Sequence, residues 1–280
     1  MKTGKFWHRY RGSSGATAAL VVLAVVTLVA LVGPMVWTAD PWAMVAQPFL
    51  PPGSSGVPLG TDTLGRDIAA GLVHGARVSL MIGAVSTAVA LALGVTIGAI
   101  SGYAGGAVDA VLMRATEIFQ AIPSFALAIV LVAIFQPSTA SIVTAIAVVS
   151  WPPVARLVRG EFLSLREREF VQAAVLAGES PARIICRQIL PNALSPIIVI
   201  GSLMVATAIL LESSLSFLGL GDPNQISWGY MVGAARTVLR QAWWMAVFPG
   251  VAILATVLAL NLVGEGLNRG LDTGAGGIRK

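Results

Sequence analysis

The sequence predicts an all-α, polytopic membrane protein with six transmembrane helices, and three observations carry that prediction. Only 11% of the residues are charged, against roughly 25% in ordinary soluble domains. The apolar fraction is 56% and the mean hydropathy is +0.83, more than a single water-soluble core absorbs. The apolar residues also come in long uncharged runs, where about 20 residues suffice to cross a bilayer core of about 30 Å. The net charge of +5 therefore bears on orientation in the membrane rather than on nucleic acid. The single cysteine, Cys186, excludes an internal disulfide.

Residues 1–11, with Lys2, Lys5, Arg9 and Arg11, form a short basic N-terminus. Span 1 follows at 12–38, with Trp37 as an interfacial anchor at its far end. It is too long, and lacks the small-residue cleavage site, for a removed signal peptide. Residues 39–77 read as an extracytoplasmic loop built around Pro51-Pro52-Gly53, ending in an amphipathic stretch to Arg77. Residues 78–263 form the transmembrane core, spans 2 to 6. In span 2, Val78–Ile100, a small-residue stripe recurs every fourth position at Ala90, Gly94, Gly98 and Gly102. Such a stripe lets helix backbones touch, and contact with another span of the same chain is expected.

After Asp109, Arg114 and Glu117, residues 118–155 carry no charge. One helix of that length would measure about 57 Å, too long for a single crossing. Gln136-Pro137-Ser138 divides it into spans 3 and 4, with Pro123 as a candidate kink and Trp151-Pro152-Pro153 closing span 4. A polar insert at 156–191, span 5 at 194–211, an extracytoplasmic loop at 212–242 and span 6 from Trp243 to Val263 complete the core, and 264–280 form a tail. Six spans place both termini on one side. That side, with the insert, carries 14 of the 18 Lys and Arg residues. The positive-inside rule makes it cytoplasmic.

Within the insert, Ser164 with Glu167 three residues on fits a capping box that starts a helix. Val171, Ala174, Val175 and Gly178 then share a helical face, and Gly178 is a C-terminal stop. Ser180 and Pro181 restart a second helix as N-cap and first residue; Pro191, with no N–H, blocks its continuation. The product is a pair of short helices with a tight corner. Its small residues, Ala173, Ala174, Ala177 and Gly178, admit another surface. Two readings stand: a lever offered to a soluble partner, or a solvated loop lying on headgroups.

No catalytic centre is visible, so the chain reads as a non-enzyme. The lysines, Lys2, Lys5 and Lys280, do not fit a phosphate-binding loop. His8 and His74 fall on opposite sides of the membrane and cannot share a metal. Cys186 lies on an apolar face and reads as packing. No Ser-His-Asp grouping and no arginine-rich voltage-sensing helix is present. Energy for any transport must come from a partner or a gradient.

The insert resembles the coupling loop of ABC importer permeases, in which Glu-Ala-Ala, three residues and a Gly form the coupling helix. The match is Gln172-Ala173-Ala174 and Gly178, closing with Leu190-Pro191. Other segments resemble the dipeptide/oligopeptide/nickel branch, and specifically its shorter, second permease subunit. These are Gly60 to Asp67, Gly75-Ala-Arg-Val-Ser-Leu80, Ala121-Ile-Pro-Ser124, Ile189-Leu-Pro-Asn192, Glu212 to Gly221, Ser227-Trp-Gly229 and Pro249-Gly250. Together they cover about Leu59 to Asp272. The resemblance implies an ABC type I importer-like permease in the cytoplasmic membrane, importing dipeptides or oligopeptides. It further implies a heterodimer with a second, homologous permease subunit, two ABC ATPase subunits that hold ATP and magnesium, and an extracytoplasmic substrate-binding protein. No cofactor is implied in this chain. Gln172 departs from the family's Glu: the shape and hydrogen bonding stay and the charge goes.

On this resemblance the ATPase-coupling residues are Gln172, Ala173, Ala174, Gly178, Glu179, Pro181 and Arg183. Candidates for the path or an outer gate are Glu212, Ser213, Ser216 and Asn261. Glu212, at a membrane boundary, either attracts a substrate amine or shapes a gate, or else ties to neighbouring serines or backbone where the helix breaks. Asn261 either bonds another helix or meets substrate. Asp62, Arg66 and Asp67 are candidates for binding-protein docking, or form a salt-bridged loop. Competing readings of the whole are nickel or another small solute on the same architecture, a gradient-driven carrier or channel, and a membrane scaffold. A carrier would want internal symmetry or paired buried charges, and neither is visible in the sequence.

Overall fold

The computed structural model describes residues 14–271. The expected N-terminus, 1–11, and the end of the expected tail, 272–280, lie outside them, as does His8. The first helix, α1 (Ser14–Val36), is apolar and packs against both the second and the last helices of the chain. The following loop is folded on itself rather than open. Thr61 is its buried centre, donating from Oγ1 to the Gln47 carbonyl at 2.7 Å and accepting the Leu50 N–H at 2.9 Å. Where it folds back, Gly65 has φ +77, and a Cβ there would sit 2.0 Å from the Ala46 carbonyl oxygen. Only glycine fits.

The second helix, α2 (Ile68–Ala104), begins ten residues before the expected start of span 2. The amphipathic stretch to Arg77 is its first turns, not loop. Asp67 sets the start: its Oδ1 accepts the Ala69 N–H at 2.9 Å, a side-chain N-cap. At 37 residues α2 is about 55 Å long and overhangs a bilayer core. Next come α3 (Gly106–Ala121) and α4 (Ser124–Phe135), bent by 84°. The charges Asp109, Arg114 and Glu117 ride on α3. The kink expected at Pro123 is a full break, because the proline drives Ile122 out of the helical region to φ −88, ψ 130.

Helix α5 (Thr139–Arg166) opens on a capping box between Ser138 and Ser141. It runs on through Pro152 and Pro153, so the helix does not stop at the prolines expected to close span 4. The lost backbone donors are outweighed by burial: Trp151, Val154, Ala155, Val158 and Phe162 all pack inward. What they pack against is the glycine stripe of α2. A Cβ on Gly94 would lie 2.5 Å from Val154 Cβ, one on Gly98 2.5 Å from the Ala155 oxygen, and one on Gly102 2.6 Å from Phe162 Cβ. The stripe therefore serves a contact within the chain, as expected.

Because α5 continues to Arg166, Ser164 lies inside it and Glu167 is its C-cap; the capping box expected there does not form. The short α6 (Glu169–Leu176) starts after Arg168 with no side-chain cap. A second helix, α7 (Pro181–Arg183), passes into a wide π turn, Ile184–Ile189, and then α8 (Leu190–Leu215) and another π turn, Ser216–Leu220. Pro191 does not block this rod, which runs on from Pro181 until Gly219 leaves the helical region at φ +86. The wide turn shifts the register so that Leu190 donates to the Ile185 carbonyl, five residues back, and the proline's missing donor falls at the shift. The chain ends with α9 (Trp228–Ala235) and α10 (Trp244–Leu271), which absorbs the first part of the expected tail. Cys186 is exposed, not packed.

By length and composition five helical stretches can cross a membrane, α1, α2, α5, the 181–220 rod and α10, and the bent α3–α4 pair makes a sixth. The molecule has two distinct ends. At one, α6 packs with α5 and with the Ile184–Ile189 turn; at the other sit the 37–67 loop and α9, tied to α10 where the Trp244 indole N–H donates to the Thr61 carbonyl at 3.1 Å.

Candidate functional site

The helix corner is built by α6 seated on the end of the bundle. Val171 and Ala174, three residues apart, are buried with Phe162 of α5 and with Ile184 and Ile189 of the wide turn. Val175 and Gly178, expected on that same face, are exposed, so the predicted stripe is split. The other face is bare: Gln172, Ala173, Val175, Ala177 and Gly178 are exposed, and Leu176 is 89% exposed. Gln172 Nε2 donates to the Glu167 carbonyl at 3.2 Å, a bond an unprotonated glutamate there would not make.

The corner itself is closed as the sequence predicts. Gly178 takes φ +79, its N–H donates to the Val175 carbonyl, and the Glu179 N–H donates to the Ala174 carbonyl. This pair of bonds is a Schellman stop. A Cβ on Gly178 would meet nothing within 4 Å, which leaves the corner's outer side open. Pro181 is the first residue of the next helix, with Arg183 exposed beside it. One carboxylate oxygen of Glu179, Oε2, is buried without a hydrogen-bond partner among the described residues.

A second feature of this end was not legible as a site. Asp109 of α3 receives both arms of Arg159 of α5, Nε to Oδ1 at 2.5 Å and Nη2 to Oδ2 at 2.6 Å, and Ser101 of α2 donates to the same Oδ1. Arg166 adds a bond to the Tyr103 carbonyl at 3.1 Å. The charges were visible in the sequence; that three helices converge on one carboxylate was not.

At the opposite end, Glu212 is 1% exposed. Ser216 and Ser227 donate to its Oε1 at 2.8 and 2.6 Å, while Ser213 is turned to the Ile209 carbonyl. Gly229 makes room for this cluster: a Cβ there would lie 2.8 Å from Glu212 Oε2. The carboxylate ties α8 to the turn before α9, the serine-bonded arrangement that the sequence offered as one alternative. Asn261 of α10 is exposed and bonds no other helix among the described residues. Asp62, Arg66 and Asp67 do not form an ion pair with one another. Asp62 accepts the N–H groups of Leu64 and Arg66, Asp67 caps α2, and the Arg66 guanidinium lies over the Trp42 ring at 4.7 Å. Local turns claim both acids, which is why the expected salt-bridged loop is absent.

One further tie at this end escaped the sequence. Asp222 Oδ2 accepts both the N–H and the hydroxyl of Thr139, at 2.7 and 2.6 Å, and Oδ1 accepts the Asn224 N–H. Burial pushes this carboxyl upward, but those bonds outweigh it and hold Asp222 below the ordinary carboxylate value.

Residues 94–276 match the sequence profile of binding-protein-dependent transport system inner membrane components, and residues 3–52 match the N-terminal TM domain of oligopeptide transport permease C. The chain belongs to this family of inner membrane components. It resembles the di/tripeptide transport system permease protein of Pseudomonas aeruginosa at 38% identity, over 96% of this chain and 91% of that one. Identity to the dipeptide transport system permease protein of Haemophilus influenzae is 36%, over 96% and 93%. With the probable D,D-dipeptide transport system permease protein of Escherichia coli it is 38%, over 95% and 90%. As an inner membrane component of a binding-protein-dependent system, this permease is a multi-pass transport subunit and not itself an enzyme. Its helix corner lies inside the stretch the family profile covers.

Proposed function

We propose that this permease carries peptides across the cytoplasmic membrane as one of two homologous permease subunits of an ATP-binding-cassette importer. In this reading α6 is the lever. Two ATPase subunits, which hold ATP and magnesium, receive its bare face, while an extracytoplasmic binding protein delivers peptide to the opposite end. The observation that carries the reading is the asymmetry of α6. One face is fixed by Val171 and Ala174, and the other exposes Leu176 at 89% beside the open corner of Gly178. A leucine so exposed on a short helix wants a hydrophobic groove. The relatives' names favour peptides over nickel. A gradient-driven carrier leaves the bare corner without a use.

The lever is tested by crosslinking. With Cys186 replaced by serine, Leu176→Cys in the assembled complex is expected to crosslink to an ATPase subunit, with a yield that changes between nucleotide-free and ATP-bound states. Crosslinks only to lipid reagents would remove the lever. Uptake of labelled dipeptide into proteoliposomes holding the full complex tests the cargo.

A further inference from the structure

Between α1, the start of α2 and the 222–227 loop, at the end opposite α6, lies a cleft of about 560 Å³. That volume is in the range of small-molecule sites, about 300–1,000 Å³. Its polar lining includes Trp42, His74, Arg77, Thr139, Asn224 and Gln225. Arg77 is exposed and its guanidinium has no partner among the described residues, and the same holds for the side-chain amide of Gln225, whereas the Asn224 side chain is turned to Asp222. The other groups are occupied. His74 Nε2 faces the Trp37 carbonyl at 3.2 Å and therefore donates to it; Thr139 is spent on Asp222. The acids flanking the lining residues are satisfied by backbone N–H groups as well, Asp40 by Trp42 and Asp222 by Thr139 and Asn224. The cleft thus holds a guanidinium without a hydrogen-bond or ion-pair partner, beside the free carboxamide of Gln225.

We propose that this cleft, headed by Arg77, binds the carboxylate end of the transported peptide as it leaves the binding protein. The inference rests on the peptide-import reading and adds a contact within this chain. A guanidinium fork matches a carboxylate in two parallel hydrogen bonds. Carboxamides offer both a donor and an acceptor, which complements the N–H and C=O of a peptide amide. A phospholipid phosphate diester would match Arg77 but offers only acceptors, leaving the carboxamide oxygen idle. The site lies on the side from which a delivered peptide arrives.

The test uses the full complex in phosphatidylcholine–phosphatidylethanolamine proteoliposomes with its binding protein, importing Ala-Ala or its C-terminal amide. Because the binding protein is common to all arms, any change in the acid-to-amide uptake ratio belongs to this chain. Arg77→Gln is expected to lower Ala-Ala uptake and to narrow the ratio by about tenfold, while Arg77→Lys retains most of the preference. Should Arg77→Gln fail to assemble, Gln225→Ala in the loop is read by the same ratio. An unchanged ratio with intact peptide uptake overturns this site and leaves the peptide reading standing. Loss that is reversed by phosphatidylglycerol, with no dependence on the peptide terminus, makes the cleft a headgroup site and also overturns it. A wild-type complex that imports no peptide overturns both readings.

Discussion

Glu212 is the residue whose environment decides its role. Removing it as Glu212→Ala strips the acceptor from the Ser216 and Ser227 hydroxyls, both buried. Each orphaned buried donor costs about 1–3 kcal/mol, so for the two a loss of about 2–6 kcal/mol is expected, seen as a lower thermal unfolding midpoint of the purified permease. Glu212→Gln keeps one oxygen acceptor and is expected to lose less than half of that; equal losses would refute the tie. Gly229→Ala approaches the same cluster from outside and is expected to cost about 1–3 kcal/mol through overpacking. Asp222 gives a pH signature instead. Its folded value is depressed, so its contribution is complete above about pH 4, the ordinary value, and is lost as pH falls through the lower folded value. Stability curves of wild type and Asp222→Asn should converge on acidification; curves that stay parallel would remove the Thr139 tie. Of these residues only Glu212 and its near serines were readable in sequence. Ser227 lies 15 positions on and Thr139 lies 83 before Asp222, separations at which no periodicity speaks.

At the scale of the element, sequence patterns succeeded where the physics is local. The stop at Gly178, the stripe at Gly94, Gly98 and Gly102, and the break at Pro123 each follow from a few residues close in sequence. They failed where tertiary burial overrode a local signal. Pro152 and Pro153 do not end α5, and Pro191 does not end its rod, because the neighbouring residues are buried or the turn widens to spare the missing donor. Likewise Ser164 and Glu167 cannot cap a helix that has not yet ended. The corner yields a sharp contrast. Gly178→Ala meets open space, so its cost is conformational only, about 1–2 kcal/mol for a left-handed residue, and Gly178→Asn is expected to recover part of it. Gly98→Leu meets the Ala155 backbone at 2.5 Å and is expected to abolish folded protein in the membrane, with no rescue by a smaller polar residue. Yields of monodisperse permease in detergent distinguish the two. If Gly98→Leu accumulates normally, α2 and α5 are not packed as described.

Across the whole molecule, α5 is pinned at both ends. At the corner end Arg159 grips Asp109 of α3, and at the loop end Thr139 is held by Asp222. With the glycine stripe of α2 packed along α5, the two helices make a stiff strut between the proposed lever and the opposite end of the molecule. A strut passes on displacement only while its ends stay fastened, so loosening Arg159 should separate ATP use from transport. The pair is only partly exposed, at 34% and 16% of the side chains. Breaking it from one side leaves a charge without its partner near the bundle, and removing both charges leaves none. Arg159→Gln and Asp109→Asn are each expected to cost about 1–3 kcal/mol in stability, and the double variant less than their sum. In the assembled importer each single variant should hydrolyse ATP while importing fewer peptides per ATP, and the double variant should not restore that ratio, because the fastening is still gone. Stability that recovers while the ratio stays low marks the pair as part of the transmission; a ratio that recovers with stability reduces it to a packing contact.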